Sequence, residues 1–284
     1  MATYKTVIII VSGGNSVYDR LEETQKVVFA RSVVAQPDVK VIWARGCAQE
    51  THWNDNENTL YLAVADGMET LLEKTCQAVE WVLEMWNPAF IIRSNNSSFW
   101  DLRRVHALTD ELPSAGLYGG IVVKEPSLDP STALARKYGF ISGSALWMSQ
   151  DTARMLVTLR PDAAIHQYDD VAIGMLLGQK GLKMTKIPSS DLTDYRFTPK
   201  VAHHRVKHWS KPSVTARRLK ILSKLDTLES TRGRALRVAW FVALETWTMQ
   251  FETWIPMSQK VRRIASSFSI YRDMKAHYLE PGSP

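Results

Sequence analysis

Two adjacent carboxylates, Asp169 and Asp170, open the apolar stretch DDVAIGMLLGQKG. Such a pair has two open readings. One carboxylate can take a proton from a reacting hydroxyl as a general base, or the pair can cap a helix and complement its dipole. Further on, VAHHRVKHWSK gathers His203, His204, Arg205, Lys207 and His208. Arg205 and Lys207 alternate, so on an extended segment both project to one side. A forked guanidinium beside a compact ammonium suits phosphate oxygens; a solvated basic linker is the plain alternative. A third stretch, IIRSNNSSFWDL from Ile91, turns abruptly from apolar to small polar residues. It reads as a buried strand whose C-terminal end meets a turn or a helix N-cap, and in an open α/β sheet that edge is where ligands bind. Asn95, Asn96 and Ser97 offer amides and a hydroxyl there, poor partners for Mg²⁺ or Mn²⁺, which depend on carboxylate oxygens.

These groups need a scaffold, and the periodicity supplies one. KTVIIIVSGG reads as a central strand followed by a glycine-bearing loop. DRLEETQKVVFARSVVAQ is helical, with Asp19 as its cap, and DVKVIWARG is a second strand. GMETLLEKTCQAVEWVLEMW is an amphipathic helix that stops before Asn87-Pro88 and feeds the strand AFIIRS. After it come a helix in FWDLRRVHALTDEL, a strand in LYGGIVV and an apolar segment in GFISGSALWMS. A helix capped by Ser149, a helix from Asp169 with a glycine stop, and a strand in LKMTKI complete the alternation. The pattern predicts an α/β domain over residues 1–208. Beyond SKPSVTARR, residues 209–284 read as a basic, aromatic-rich helical extension.

Composition narrows the class. The chain has 284 residues, 45% hydrophobic content and 10 tryptophans, enough for a sizeable core. Cys47 and Cys76 are too few for a disulfide framework and fit a reducing compartment. The N-terminus reads as a first strand, not a signal peptide, and no apolar run reaches the length of a membrane span. A soluble, cytoplasmic protein is the expectation. The net charge of +6 sits in the tail, where residues 210–284 hold 13 Lys/Arg against 6 Asp/Glu. A nucleic-acid surface on the main domain is therefore not expected. Trp240, Phe241, Trp247, Phe251 and Trp254 beside arginines suit peripheral membrane contact; packing onto the domain or onto a second copy in a homo-oligomer is the alternative.

Four segments in order resemble the Fringe and β1,3-galactosyltransferase-type family of glycosyltransferases. RSNNSSFW, Arg93 to Trp100, is similar to that family's Lys-Thr-Asp-Asp-Asp-Val-Phe-Val segment. ADGMETLLEKT resembles Asp-x-Tyr-x-Asn-Leu-Thr-x-Lys-Thr, with Asp66, Leu71, Lys74 and Thr75 in register. SGSALWMSQDTA resembles Ser-Gly-Gly-Gly-Tyr-x-x-Ser, and DDVAIG resembles Glu-Asp-Val-x-x-Gly. The resemblance implies a GT-A-like, Rossmann-like mixed sheet flanked by helices. It implies transfer of a sugar, with inversion, from a nucleotide-diphosphate sugar (a UDP-sugar) to a glycan, glycoprotein or lipid-linked acceptor. A non-catalytic sugar-nucleotide or glycan-binding relative is the alternative.

Site roles follow from that resemblance. Asp170 aligns with the motif aspartate and is the expected base, with Asp169 second. Ser12, Gly13, Asp66, Arg93, Asn95, Asn96 and Ser97 are expected at the donor, and Ser142, Gly143, Ser144 and Trp147 at the acceptor. The family's metal-binding aspartates are here Asn95, Asn96 and Ser97. The expectation is therefore no metal cofactor, with His203, Arg205 and Lys207 facing the donor and the two cations answering its diphosphate. Mn²⁺ or Mg²⁺ held by Asp66 and His203 is the competing arrangement.

Overall fold

In the computed structural model the described residues are 3–13, 16–34, 36–46, 49–123, 137–160, 168–191, 201–207 and 212–226. Val7 to Val11 are apolar without interruption, as a strand covered on both faces requires. That strand, β1 (Thr6–Val11), lies near the middle of the main sheet. It runs parallel to β2 (Val39–Arg45) on one side and to β5 (Phe90–Asn95) on the other. Outside β2 lies the hairpin of β3 (His52–Asn54) and β4 (Thr59–Tyr61). Outside β5 lie β8 (Phe140–Ser149), β7 (Tyr118–Val123) and β9 (Met184–Lys186). The order of the eight strands is β3-β4-β2-β1-β5-β8-β7-β9, and β8 is antiparallel to both its neighbours.

Alternation along β1 sends its side chains into two cores. Ile8 and Ile10 meet Leu21, Val28 and Phe29 of α1 (Ser16–Val34) and Leu102 and Val105 of α3 (Leu102–Glu111). Val7, Ile9 and Val11 share the other core with α2 (Leu71–Met85), α4 (Gln150–Leu159) and α5 (Asp169–Gln179), through Val79, Leu156 and Ile173. The expected class, an α/β mixed sheet flanked by helices, is the one observed.

A second sheet was not foreseen. β6 (Ser98–Trp100), β10 (Ser190–Asp191) and β11 (His203–Arg205) form three strands in the order β10-β11-β6. Each is at most three residues long, too short for any periodic signal. α6 (Pro212–Asp226) buries Leu219 and Leu222 in the cluster that holds Ile8 and Phe29. The first helix beyond residue 208 thus packs as part of the same body. Residues 227–284, with the aromatic stretch expected to meet a membrane or a second copy, lie outside the described residues. Among the described residues no helix is long and apolar enough to cross a membrane.

Two caps differ from expectation. The second helix begins at Leu71, not Gly67, because Thr70 donates its hydroxyl to Ala65 O at 2.6 Å and accepts from Gly67 N at 3.2 Å. Those bonds hold residues 65–70 in a turn. Ser149 sits at the N-cap of α4 without making the side-chain cap bond, since its hydroxyl accepts instead from Leu117 N at 2.9 Å.

Candidate functional site

The C-terminal ends of β1 and β5, the start of the antiparallel β8 and the N-terminus of α5 meet at one edge. Arg93, directly after the apolar run of β5, is 5% exposed. It donates from Nε and Nη2 to the two oxygens of Asp169, both at 2.9 Å, and from Nη1 to Gly143 O. Thr75 on α2 donates to Asp169 Oδ2 at 2.7 Å, and Asp170 N donates to Oδ1 at 2.9 Å. Both oxygens of Asp169 are therefore engaged, in a buried, bidentate and fully bonded pair. This corrects two expectations. Arg93 is not a donor contact, and Asp169 is not a second base; together they fix the start of α5.

Asp170 differs. Its Oδ2 accepts from Gly143 N at 2.8 Å and its Oδ1 from Val171 N at 2.9 Å. No cation is bonded to it among the described residues. Burial pushes its carboxyl above the usual range, the neighbouring charge of Asp169 adds to this, and Arg93 opposes it. A carboxylate raised in this way is a better proton acceptor than one in water.

Gly143 is the point of contact between the two. A Cβ there would lie 2.2 Å from Arg93 Nη1 and 3.3 Å from Asp170 Oδ2. Arg93 is clamped by Asp169 and cannot swing away cheaply. Gly143→Ala is therefore expected to cost about 1–3 kcal/mol of stability through overpacking and to displace Asp170. Chemical denaturation checks the first, and an unchanged midpoint would contradict it.

The turn after β5 bonds to itself. Asn95 Oδ1 accepts from Ser97 N at 3.2 Å, Ser97 Oγ at 2.9 Å and Ser98 Oγ at 3.0 Å. The backbone donor fixes the amide orientation, so Asn95 Nδ2, which makes no hydrogen bond among the described residues, is the atom left to a ligand. Asn96 is turned the other way: Nδ2 donates to Ser12 Oγ at 2.9 Å and Tyr18 O at 3.2 Å, leaving Oδ1 buried and without a partner among the described residues. Ser12 is thereby buried behind Asn96, and Gly13 packs beneath the Tyr18 ring, where a Cβ would approach to 2.9 Å.

Beside this turn runs β11. Arg205 is in register with Ser98, and Val206 N donates to Ser97 O at 2.8 Å. The Asn95 turn and the Arg205–Lys207 segment, separate in sequence, are thus direct neighbours. Arg205 Nη1 also donates to Asp191 Oδ2 at 3.3 Å, so any anion would share it with Asp191. Burial, then the Arg205 charge, lowers the Lys207 ammonium pKa.

His203 lies behind the turn, 1% exposed, with Nε2 3.1 Å from Ser98 Oγ and its ring 4.6 Å from that of Trp100. It is a support for the turn and not a donor contact. Burial holds His203 well below its ordinary 6.5 and His204 down at about 3. Both depressed groups are neutral when folded but take protons when unfolded below about 6.5. The contribution of these two histidines to stability is therefore expected to be full above pH 6.5 and to be lost as the pH drops below it. A Tm constant between pH 7 and 5 in the parent, and the same in His203→Gln/His204→Gln, would contradict this.

Other expected residues are placed elsewhere. Asp66 pairs with the buried Lys74, which also donates to Ser12 O at 2.9 Å, and the pair braces the end of β1. Asp66 Oδ1 is held by the Lys74 ammonium and His203 Nε2 lies against the Ser98 hydroxyl, and no group of three His, Cys, Asp or Glu that could hold a metal occurs among the described residues. Trp147 is fully buried, its ring 5.7 Å from that of Trp100, so it belongs to the core and not to an acceptor pocket. Ser144 is also buried, and its carbonyl accepts from Ser94 Oγ and Ser98 Oγ, each at 3.0 Å. Ser142 and Gly143 remain at the edge.

Sequence reading missed Ser98, the hydroxyl joining Asn95, Ser144 and His203, and it gave Thr75 no role. Nothing local marks Ser98, while Thr75 was matched to the motif without a role being drawn from it. Tyr168, directly before the two aspartates and 44% exposed, was also passed over; its place next to the carboxylate pair was the available signal.

No family model matches the chain, and no curated protein matches it. A solved structure described as a glycosyltransferase involved in the glycosylation of the major capsid of PBCV-1 is similar over 76% of this chain and 98% of its own, at 8% identity and a TM-score of 0.49. A likeness at that level carries no functional argument.

Proposed function

We propose that this chain is a GT-A-like glycosyltransferase that moves a sugar, with inversion, from a nucleotide-diphosphate sugar to a hydroxyl of a glycan or glycoconjugate. A UDP-sugar is the donor the motif resemblance favours. The observation that supports the reading is Asp170, a carboxylate raised by burial and fixed by Gly143 N–H at the sheet edge, with the Arg205 segment paired separately to the turn after β5.

The chemistry needs three things from these residues. Asp170 takes the proton of the acceptor hydroxyl as its oxygen attacks the anomeric carbon. The bond from that carbon to the diphosphate oxygen breaks on the opposite face, which inverts the centre. The departing diphosphate collects charge, which Asn95 Nδ2, Arg205 and Lys207 answer from the protein. No step passes through a divalent ion, because neutral Asn95, Asn96 and Ser97 stand at the edge and most of their side-chain bonds stay within the protein. Tyr168 offers a half-exposed ring on which the acceptor sugar stacks.

A ligand that binds only the folded state raises its Tm. Screening nucleotide sugars by thermal shift, each with Mn²⁺ and with a chelator, should single out UDP-sugars, with equal shifts in both conditions. Absence of any shift across the panel would overturn the reading, and a shift requiring Mn²⁺ would overturn its metal-free form.

A further inference from the structure

The proposed donor edge depends on a residue outside the segment that carries it. Arg218 lies on α6, yet its side chain is 2% exposed and points into the domain. Its Nη1 donates to Val206 O at 3.3 Å and to Lys207 O at 3.2 Å. Val206 is the residue whose N–H meets Ser97 O at 2.8 Å. Hydrogen bonds therefore connect α6, through the N–H and C=O on either side of the Val206 Cα, to the turn that bears Asn95. The neighbouring Leu219 and Leu222 anchor α6 in the core with Ile8 and Phe29, so the guanidinium is held from a rigid base. Its bonds to the two carbonyl acceptors fix the backbone on either side of the Lys207 nitrogen.

We infer that Arg218 is a positioning residue that makes the C-terminal helix α6 an obligatory part of the proposed diphosphate site, by clamping the Arg205–Lys207 backbone against the Asn95 turn. The inference rests on the functional reading above for the ligand, but the clamp itself is testable without it. It also gives residues beyond 208 a means of acting on the site, because movement of α6 transmits to Val206.

The test uses the full chain with Arg218→Met, and Arg218→Lys as a milder variant. Hydrogen exchange monitored over residues 203–207 and 96–100 reads the clamp. Titration with UDP and with uridine reads the site, since only UDP carries the phosphates. The expected result is faster exchange in both segments, a roughly tenfold loss of UDP affinity (about 1.4 kcal/mol) and unchanged uridine affinity. In an Arg205→Ala/Lys207→Ala background, Arg218→Met should cost no further UDP affinity. Unchanged exchange in both variants would overturn the clamp. Faster exchange with unchanged UDP affinity, or equal losses for UDP and uridine, would overturn the coupling. A parent that binds neither UDP nor uridine would count against the functional reading, leaving exchange to decide the clamp.

Discussion

Asp169→Asn should lower stability by about 3–5 kcal/mol, the usual cost of removing one partner from a buried ion pair. At about 2–4 °C per kcal/mol for a domain of this size, the Tm falls by roughly 6–20 °C. The reason lies in Arg93. It is 5% exposed and gives two of its donors to Asp169, so the neutral amide leaves a buried guanidinium without its bidentate counter-charge and turns one NH₂ towards the guanidinium N–H groups. The Thr75 hydroxyl, now donating to Asp169 Oδ2 at 2.7 Å, also loses its carboxylate acceptor. Removing both charges together, as Arg93→Met/Asp169→Leu, should recover much of the loss, because no unpaired charge remains. A Tm within a degree of the parent for Asp169→Asn would show that the pair does not hold the start of α5.

Asp170→Asn should have the opposite profile, with transfer reduced about 10²–10⁴-fold and stability at neutral pH maintained or raised. Its carboxyl is pushed up chiefly by burial, so the folded state holds that proton more tightly than the unfolded chain. Stability then falls as the pH rises between the ordinary carboxylate value and the raised one, and ionised Asp170 is a net cost above that window. Asparagine removes the charge while its carbonyl oxygen still accepts from Gly143 N, and gives up only the local bond that Oδ1 accepts from Val171 N. Catalysis needs the ionised form, so the parent's rate should decline as the pH falls through the raised value, above the usual carboxylate range. Steady-state rates across pH and a melting curve check both halves. Equal transfer by mutant and parent would remove Asp170 from the mechanism and favour a non-catalytic sugar-nucleotide or glycan binder.

The contrast between these neighbours shows what the sequence could and could not convey. DDVAIG announced a helix start with two acids, and the order of apolar runs announced the α/β sheet, because both rest on local period and capping preference. Which acid would be consumed was not local information. Arg93 reaches Asp169 only because β5 lies alongside β8 and under α5, a contact spanning seventy-six residues of chain. The three-stranded sheet was invisible for a related reason. His203–Arg205 is three residues long and takes its conformation from pairing with β6. Trp147 was misjudged because tryptophan suits both a sugar platform and a core, and only the surrounding layers decide between them. The proximity of the Arg205 segment to the Asn95 turn was expected from chemistry, as cations standing where carboxylates were missing, and not from any pattern.

The central claim is that protein donors and cations at this edge grip a nucleoside diphosphate without a divalent ion. Calorimetric titration of UDP into the chelator-treated protein, beside the Arg205→Ala/Lys207→Ala variant, tests it most directly. Binding by the parent and at least a tenfold weaker association in the variant are expected, while equal affinities, or binding that appears only when Mn²⁺ is restored, would refute a metal-free grip.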